Sequence, residues 1–352
     1  MKKEFTVAIL GATGLVGQRM IKQLEQSTIP VKKVKFLASK RSAGKKLKFR
    51  NQEVEVEETK PESFSGVDIV LSSAGGAVSK KFLPEAVKRG SVCIDNTSAF
   101  RMDPDVPLVV PEVNGEEIKN HHGIIANPNC STIQMVMALK PMMDKFGLKR
   151  VIVSTYQAAS GAGHAALEEL FKEAKDYMAG RDIKEDAQVL PTAGDKKHYP
   201  LAFNLLPQID VFEDDGYSHE EWKMIHETKK ILLNDMNAAD IKVTATCVRV
   251  PVEIAHGESV YFELADKNAT VSDLEKVLKD FPGVQVQNDF RKQEYPQPLN
   301  AVGSNDTFVG RIRPDLETPG AFNMWVVADN LLKGAAGNTV QIAEKLVAND
   351  WL

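Results

Sequence analysis

The sequence predicts an α/β fold in two parts: a doubly wound parallel sheet, followed by an α+β domain with a mixed sheet. Three observations carry this. The first third of the chain alternates short apolar runs with helical patterns, the signature of a parallel sheet covered on both faces. A glycine-rich turn, Gly11-Ala12-Thr13-Gly14-Leu15-Val16-Gly17, joins the first of those runs to the first helical pattern. After residue 130 the regular alternation stops, and β-rich runs and helices follow in a different order. A chain of 352 residues also exceeds what one ordinary core serves, so two domains are expected.

The elements follow in order. Phe5 to Leu10 reads as a buried strand and Leu15 to Gln26 as a helix. Lys33 to Ala38 and Val67 to Ser72 read as strands, the second ending in Ser73-Ala74-Gly75-Gly76. Lys80 to Arg89 is helical in pattern, and Val92 to Asp95 and Gly123 to Ala126 are strands. Beyond Cys130, Ser131 to Phe146 has helical composition, Arg150 to Gln157 is a strand and Ala165 to Ala179 a helix. Residues 180–215, with several prolines and glycines, read as irregular. Ser218 to Asn234 and Val271 to Lys279 are helices. Ile241 to Pro251, Ser259 to Leu264, Thr307 to Ile312 and Asn323 to Val327 are strands. A final helix, Asn330 to Leu346, is expected to pack back on the first domain.

Composition narrows the function classes. Hydrophobic residues at 43% and charged residues at 26% fit a soluble globular protein. A formal net charge of -4 gives no electrostatic reason for a nucleic-acid or anionic-membrane partner. The start, MKKEFTVAILGATG, runs from a short apolar stretch into the glycine turn, so it reads as a strand rather than a signal peptide. Nowhere is there an apolar run of about 18 residues, so no membrane span is expected. The three cysteines, Cys93, Cys130 and Cys247, form no CxxC and no dense Cys/His cluster. That argues against a disulfide framework and a zinc site, and fits a reducing, cytoplasmic setting with no metal.

The GxxGxxG spacing of Gly11, Gly14 and Gly17 lies between a strand and a helix, the context in which it signals a dinucleotide site. Glycines let the backbone approach a pyrophosphate, and a helix N-terminus offers it unpaired N–H groups. Thr13, Leu15 and Val16 complete the turn. The second strand ends in Ala38-Ser39-Lys40-Arg41-Ser42-Ala43-Gly44, without the acidic residue that would hold ribose hydroxyls in an NAD enzyme. Two cations and two hydroxyls, with Arg41 and Ser42 foremost, suit a 2′-phosphate instead, so NADP is the expected cofactor. A solvated basic loop is the plainer alternative.

Gly123-Ile124-Ile125-Ala126-Asn127-Pro128-Asn129-Cys130-Ser131-Thr132 takes a strand through Asn-Pro-Asn to a cysteine at a helix start. A helix N-terminus stabilises a thiolate, the reactive form, and its N–H groups could hold an oxyanion. Cys93 and Cys247 lie inside strand-like runs and read as buried and structural. Among seven histidines composition selects none. The pair His121-His122 reads as solvent-exposed, and His164 is expected near the site with no role assigned.

The segments GATGLVG, SKRSAGK, NPNCSTIQ, QAASGAG, EEWKM and RVPVEIAHGE, running in order from residue 11 to residue 258, resemble the aspartate-semialdehyde dehydrogenase family, bacterial type. VGRIRPD and the final helix extend the resemblance over nearly the whole chain. It implies a Rossmann-type NADP-binding domain over 1–130, completed by 330–352, and a catalytic and dimerisation domain over 131–329. It implies Cys130 as nucleophile, His256 as acid/base and Gln157 as the amide that orients the substrate carbonyl. It makes Arg249 the α-carboxylate ligand and Glu220 the α-amino ligand, and gives phosphate to Lys223 and Arg101. It brings Ser160, Gly161 and Asn330 to the cofactor. The implied reaction is the reversible, NADP-dependent reduction of aspartyl phosphate to the semialdehyde through a thioester, in a homodimer or homotetramer. It belongs to synthesis of lysine, threonine and methionine from aspartate, with diaminopimelate on the lysine branch.

Three other readings remain open from the sequence. The related N-acetyl-glutamyl-phosphate reductases share fold and chemistry, but usually carry Pro-Gly-Cys where this chain has Asn129-Cys130-Ser131. A hydrolytic aldehyde dehydrogenase would need no phosphate ligands. A non-catalytic NADP-binding sensor would be expected to lack Cys130 or His256.

Overall fold

The computed structural model describes residues 4–184 and 187–352; of the expected irregular stretch, residues 185 and 186 lie outside the described residues. The strands in chain order are β1 (Phe5–Leu10), β2 (Val31–Ala38), β3 (Lys46–Phe49), β4 (Gln52–Glu58), β5 (Ile69–Ser72), β6 (Val92–Asp95), β7 (Ile124–Ala126), β8 (Leu148–Gln157), β9 (Lys242–Arg249), β10 (His256–Leu264), β11 (Val284–Val286), β12 (Thr307–Pro314) and β13 (Ala321–Ala328). The helices are α1 (Leu15–Gln26), α2 (Gly76–Val87), α3 (Pro111–Asn114), α4 (Cys130–Phe146), α5 (His164–Met178), α6 (His219–Leu233), α7 (Val271–Lys279), α8 (Pro298–Ala301) and α9 (Gly337–Ala348). They form two compact units, one ending at Asn129 and including Gly334–Leu352, the other Cys130–Lys333.

The first unit is built on a sheet of order β3-β4-β2-β1-β5-β6-β7. All its neighbours pair in parallel except β3, which lies antiparallel on β4. Without β3 the order is the 3-2-1-4-5-6 of a Rossmann sheet. Successive residues of β1 serve opposite faces, as the two-residue strand period requires. Val7 and Ile9 pack with Met20 and Leu24 of α1 and with Ile342 and Leu346 of α9. Ala8 and Leu10 pack with Phe82 and Leu83 of α2. Burial on both faces explains why β1 and β5 read as unbroken apolar runs.

Several local expectations are corrected in this unit. The β3–β4 hairpin has no counterpart in the sequence reading. Its two-residue connection is Arg50-Asn51, both at positive φ, the conformation that hairpin loops usually obtain from Asn-Gly or Asp-Gly. α2 begins at Gly76, a turn earlier than expected, because Gly75 at φ 94 starts the helix from within the apparent loop. The last helix, expected from Asn330, opens with a capped turn and a wider winding before it becomes α-helical. Asp329 Oδ1 accepts from the N–H groups of Leu331 and Leu332 at 2.8 and 3.2 Å, a wide turn follows over Leu332–Ala336, and α9 starts at Gly337. His121 is half-buried rather than free in solvent: its Nε2 lies 2.8 Å from Trp351 O, and Gly123 N–H donates to its Nδ1 at 2.9 Å.

The second unit holds a mixed sheet of order β11-β12-β13-β10-β8-β9, in which β8–β9 and β11–β12 are parallel. α4, α6 and α7 cover one face. Along β8, Val151, Val153, Thr155 and Gln157 are buried, while Ile152 and Tyr156 on the other face are about two-fifths exposed, at 41% and 40%. α4 is apolar nearly all round, as a helix between a sheet and other helices must be. β10 begins at His256, three residues earlier than expected, because Gly257 and Glu258 join the ladders to β8 and β13. Part of the irregular stretch is pinned by Glu173 of α5, whose carboxylate accepts from Leu201 and Ala202 N–H at 2.8 and 3.0 Å. Among the described residues no helix is long and apolar enough to cross a membrane, and no group of His, Cys, Asp and Glu could hold a metal ion.

Candidate active site

In the first unit the glycine turn caps β1. Gly11 takes φ 88, and a Cβ there would lie 3.0 Å from the Ser73–Ala74 backbone. Gly17 lets α1 approach the turn: a Cβ would stand 2.1 Å from Gly11 O. No side chain caps α1 and its first turn carries no acidic residue, so its N-terminal N–H groups suit an anion. A cleft of about 450 Å³ opens here, lined by Gly11, Thr13, Gly14, Ser39, Lys40 and Glu58 among others. Leu15 and Val16, in the first turn of α1, are half-buried. Thr13 Oγ1 donates to Ser42 Oγ at 3.5 Å, and Ser42 is buried. Arg41 is exposed on the short turn 40–42 and does not line the cleft, whereas Lys40 does. Glu58 was missed with its hairpin; it pairs with Ala38 across the ladder and its carboxylate lies 3.3 Å from Lys60 Nζ. Close backbone approach, an uncapped helix start and an open cleft fit the pyrophosphate of a dinucleotide.

Arg101 also belongs to the first unit. It is buried after β6 and donates to Asn96 O at 2.9 Å.

The second unit gathers the other sequence-predicted residues. Cys130 opens α4, and its Sγ lies 3.2 Å from His256 Nε2 at the start of β10. His256 is fully buried. Ala158 N–H donates to its Nδ1 at 3.0 Å. With Nδ1 an acceptor, a neutral ring carries its proton on Nε2, facing the sulfur. Burial first, and then the Arg249 charge, push the His256 pKa down to about 3. The turn into β10 is strained: Ala255, non-glycine, sits at φ 75, with its N–H held by Asn330 Oδ1 at 2.9 Å. Asn330 Nδ2 donates to Ser160 Oγ at 3.0 Å, so two residues 170 positions apart meet beside the histidine's strand.

Around this pair stands a charged and amide layer. Gln157 ends β8, and its Nε2 donates to Glu220 Oε1 at 3.0 Å. Arg249 ends β9, is buried, and donates through Nη1 to Ala158 O at 2.9 Å. Burial lowers its pKa, and the Glu220 carboxylate opposes that shift most. Glu220 and Lys223 share one face of α6, with Lys223 Nζ 2.8 Å from Glu220 and 3.1 Å from Asp210. This is a buried i,i+3 pair rather than a solvated one. Gly161 is exposed above the pair: a Cβ there would lie 2.7 Å from Arg249 Nη1 and 3.3 Å from His256 Cε1. His164, nearby in sequence, is exposed and pairs with Glu168. Cys93 and Cys247 are buried, and burial pushes both thiols up. Asp210, Thr155, Gln134 and Glu258 also face this layer or back it, and the sequence did not single them out. Of these only Glu258 carried a local signal, a carboxylate inside an apolar strand.

A thiol, an imidazole, a buried guanidinium and an amide–carboxylate pair are the equipment for covalent chemistry at a carbonyl that belongs to a charged substrate. Comparisons with known proteins identify a family. The family described as semialdehyde dehydrogenase, NAD binding domain, matches residues 6–121, and that described as semialdehyde dehydrogenase, dimerisation domain, matches residues 139–333. A protein named aspartate-semialdehyde dehydrogenase from Bacillus subtilis (strain 168) is 56% identical over 346 residues, 98% of each chain. A crystal structure of aspartate semialdehyde dehydrogenase II complexed with ASA, from Vibrio cholerae, superposes with TM-score 0.91 at 43% identity over 99% of both chains. A structure of the Candida albicans enzyme with NADP superposes with TM-score 0.75 at 28% identity, again over 99% of both. The chain belongs to the aspartate-semialdehyde dehydrogenase family, and is an oxidoreductase that uses a nicotinamide cofactor.

Proposed function

We propose that the chain catalyses the reversible, NADP-dependent reductive dephosphorylation of L-aspartyl-4-phosphate to L-aspartate-4-semialdehyde through a thioester on Cys130. The observation that carries this reading is the 3.2 Å contact of Cys130 Sγ with His256 Nε2 beside a buried guanidinium. The positive end of α4 and the Arg249 charge both favour a thiolate.

In the biosynthetic direction the thiolate attacks the acyl phosphate, the C–O bond to phosphate breaks, and a thioester forms on Cys130. A nicotinamide cofactor held by the glycine turn, Ser160, Gly161 and Asn330 would supply the hydride that the thioester carbonyl takes up. His256 Nε2–H, facing the sulfur, then hydrogen-bonds the oxygen as it gains charge, and the C–S bond breaks to release the aldehyde and the thiolate. The overall balance needs one proton at the leaving phosphate, and His256 is the acid assigned to it. Because Nδ1 is taken by Ala158 N–H, the proton passes through Nε2. A ring held near pKa 3 by burial gains that proton only while thiolate or phosphate charge stands beside it.

Arg249 is assigned the substrate α-carboxylate, which its planar fork can hold through two hydrogen bonds. Glu220 is assigned the α-amino group and Gln157 the orientation of the reacting carbonyl. Lys223 and Arg101 are assigned phosphate. Ser160, Gly161 and Asn330 are assigned the cofactor, together with Gly11 to Gly17. Preference for NADP is assigned to Ser39, Lys40, Arg41 and Ser42; the NADP in the Candida albicans relative supports it. Lysine, threonine and methionine synthesis is the assigned outlet. We assign a homodimer built on the second unit, supported by the dimerisation-domain match and by Ile152 and Tyr156 on the open face of its sheet.

The test follows reduced-nicotinamide absorbance with aspartate semialdehyde, NADP⁺ and phosphate. Reduction is expected to require phosphate and to vanish in Cys130→Ala. Reduction unchanged without phosphate would make the chain a hydrolytic aldehyde dehydrogenase instead.

A further inference from the structure

The covered face of β10 carries a carboxyl that this mechanism does not use. Glu258 follows His256 by two residues, so both side chains leave the strand on the same face, the one beneath α4. Glu258 is fully buried, and neither of its carboxyl oxygens has a hydrogen-bond partner among the described residues. Its register is fixed. Gly257 has the Trp325 ring 2.5 Å from where a Cβ would stand, and Glu258 is laddered to Thr155 and Val326 on either side.

α4 brings Gln134 to the same place. It lies one turn after Cys130, on the same helix face. Gln134 Nε2 donates to His256 O at 3.4 Å, and the side chain faces the Glu258 carboxyl. Gln134 Oε1 also has no donor. A buried carboxylate would have only the Gln134 amide N–H, already turned towards His256 O, to favour it, and Gln134 Oε1 would still lack a donor. A single proton on the carboxyl supplies that donor.

We propose that Glu258 is a positioning residue: as a neutral carboxylic acid it donates its O–H to Gln134 Oε1, and so holds the first turn of α4, with Cys130 Sγ, over His256 Nε2. Burial holds the Glu258 carboxyl well above the ordinary carboxylate range; the Gln134 amide opposes that shift, and the Glu220 charge from α6 adds to it. His256 on the same strand is itself held neutral by burial, and the Cys247 thiol of β9 is pushed up by burial. The inference rests on Cys130 and His256 being the reacting pair.

The test compares Glu258→Gln, Glu258→Leu and Gln134→Leu with the unaltered enzyme. It reads kcat, KM and the pH dependence of Cys130 alkylation by iodoacetamide, which is selective because the other two cysteines are buried. Glutamine can donate an amide N–H where the acid donates O–H. Glu258→Gln is therefore expected to rescue function, with kcat within about threefold and the alkylation profile unmoved, because a misplaced reacting pair would cost on the order of 10²-fold. Glu258→Leu and Gln134→Leu each remove the bond, and are expected to lose on the order of 10²-fold in kcat with little change in KM. If Glu258→Leu does not fold, Gln134→Leu decides the point from the helix side. A loss of kcat in Glu258→Gln, or a shifted alkylation profile, would mean that a negative charge is required and overturn the proposal. Full activity in Gln134→Leu would overturn it as well. Failure of the reacting-pair reading looks different: Cys130→Ala would stay active, whatever stands at position 258.

Discussion

Gly161 shows how tightly the Cys130–His256 pair proposed to react is enclosed. With 2.7 Å between its Cβ position and Arg249 Nη1, and 3.3 Å to His256 Cε1, alanine must displace one or the other. Gly161→Ala is expected to lower kcat/KM on the order of 10²-fold, since small misplacements of a reacting group cost about that much. The melting temperature should hardly move, because Gly161 is exposed. A kinetic loss matched by a large melting shift would point to a folding role instead. The same scale shows which site residues the sequence could reveal. Cys130 was legible because strand, Asn-Pro-Asn and helix start punctuate it locally. His256, Glu220 and Arg249 had weaker local marks, a histidine after a β-rich run beside Gly257, a helix-face partner in Lys223 and a cation inside a β-rich run; the family resemblance made them site residues. Asp210 gave no signal at all: it lies in an irregular stretch at φ 69, and it matters only because folding brings it within 3.1 Å of Lys223. Gln134 likewise reads as one more polar residue of a helix until α4 is laid on β10.

The glycine turn and α1 work as one element. Gly17 lies in the first turn of α1, 2.1 Å from Gly11 O at its Cβ position, so alanine would push the helix off the turn. Gly17→Ala is expected to weaken NADPH binding at least tenfold in a fluorescence titration, because the helix start would leave the pyrophosphate position. Unchanged affinity would mean that the dinucleotide does not use this turn. Where an element's pattern was continuous, as in β1, α1 and α7, the sequence placed it to the residue or nearly so. The β3–β4 hairpin was not read, although Leu47, Phe49, Val54 and Val56 alternate with charges as strands do. Its turn, Arg50-Asn51, lacks the glycine that usually announces such a connection. That omission hid Glu58 and left that end of the cleft looking purely basic. The final helix was read from Asn330, and Asp329 caps the turn that starts there; its first part, Leu332–Ala336, is wound as a π-helix that continues into α9.

At the scale of the whole molecule, two buried groups of the same strand give stability opposite dependences on pH. Glu258 ionises in the unfolded chain above its ordinary value of 4.5, but burial raises that value in the folded chain. Its contribution is complete below 4.5 and falls as pH rises towards the folded value, by about 1.4 kcal/mol per pH unit. His256 titrates at 6.5 when unfolded and is pushed down to about 3 when folded. Its contribution is complete above 6.5 and falls as pH drops towards 3, again by about 1.4 kcal/mol per unit. Above 4.5 and short of 6.5 the two slopes oppose each other, because one contribution falls with rising pH and the other with falling pH. Other groups add their own slopes, but these are common to the parent and a point variant and drop out of the difference. Urea unfolding of the parent and of Glu258→Gln, repeated across pH, should therefore diverge progressively above 4.5, with the variant gaining. His256→Asn should diverge in the opposite direction below 6.5. A Glu258→Gln difference that stays flat with pH would mean that the carboxyl ionises in the folded chain as it does in water. The neutral acid under α4, and the positioning role built on it, would then be lost together.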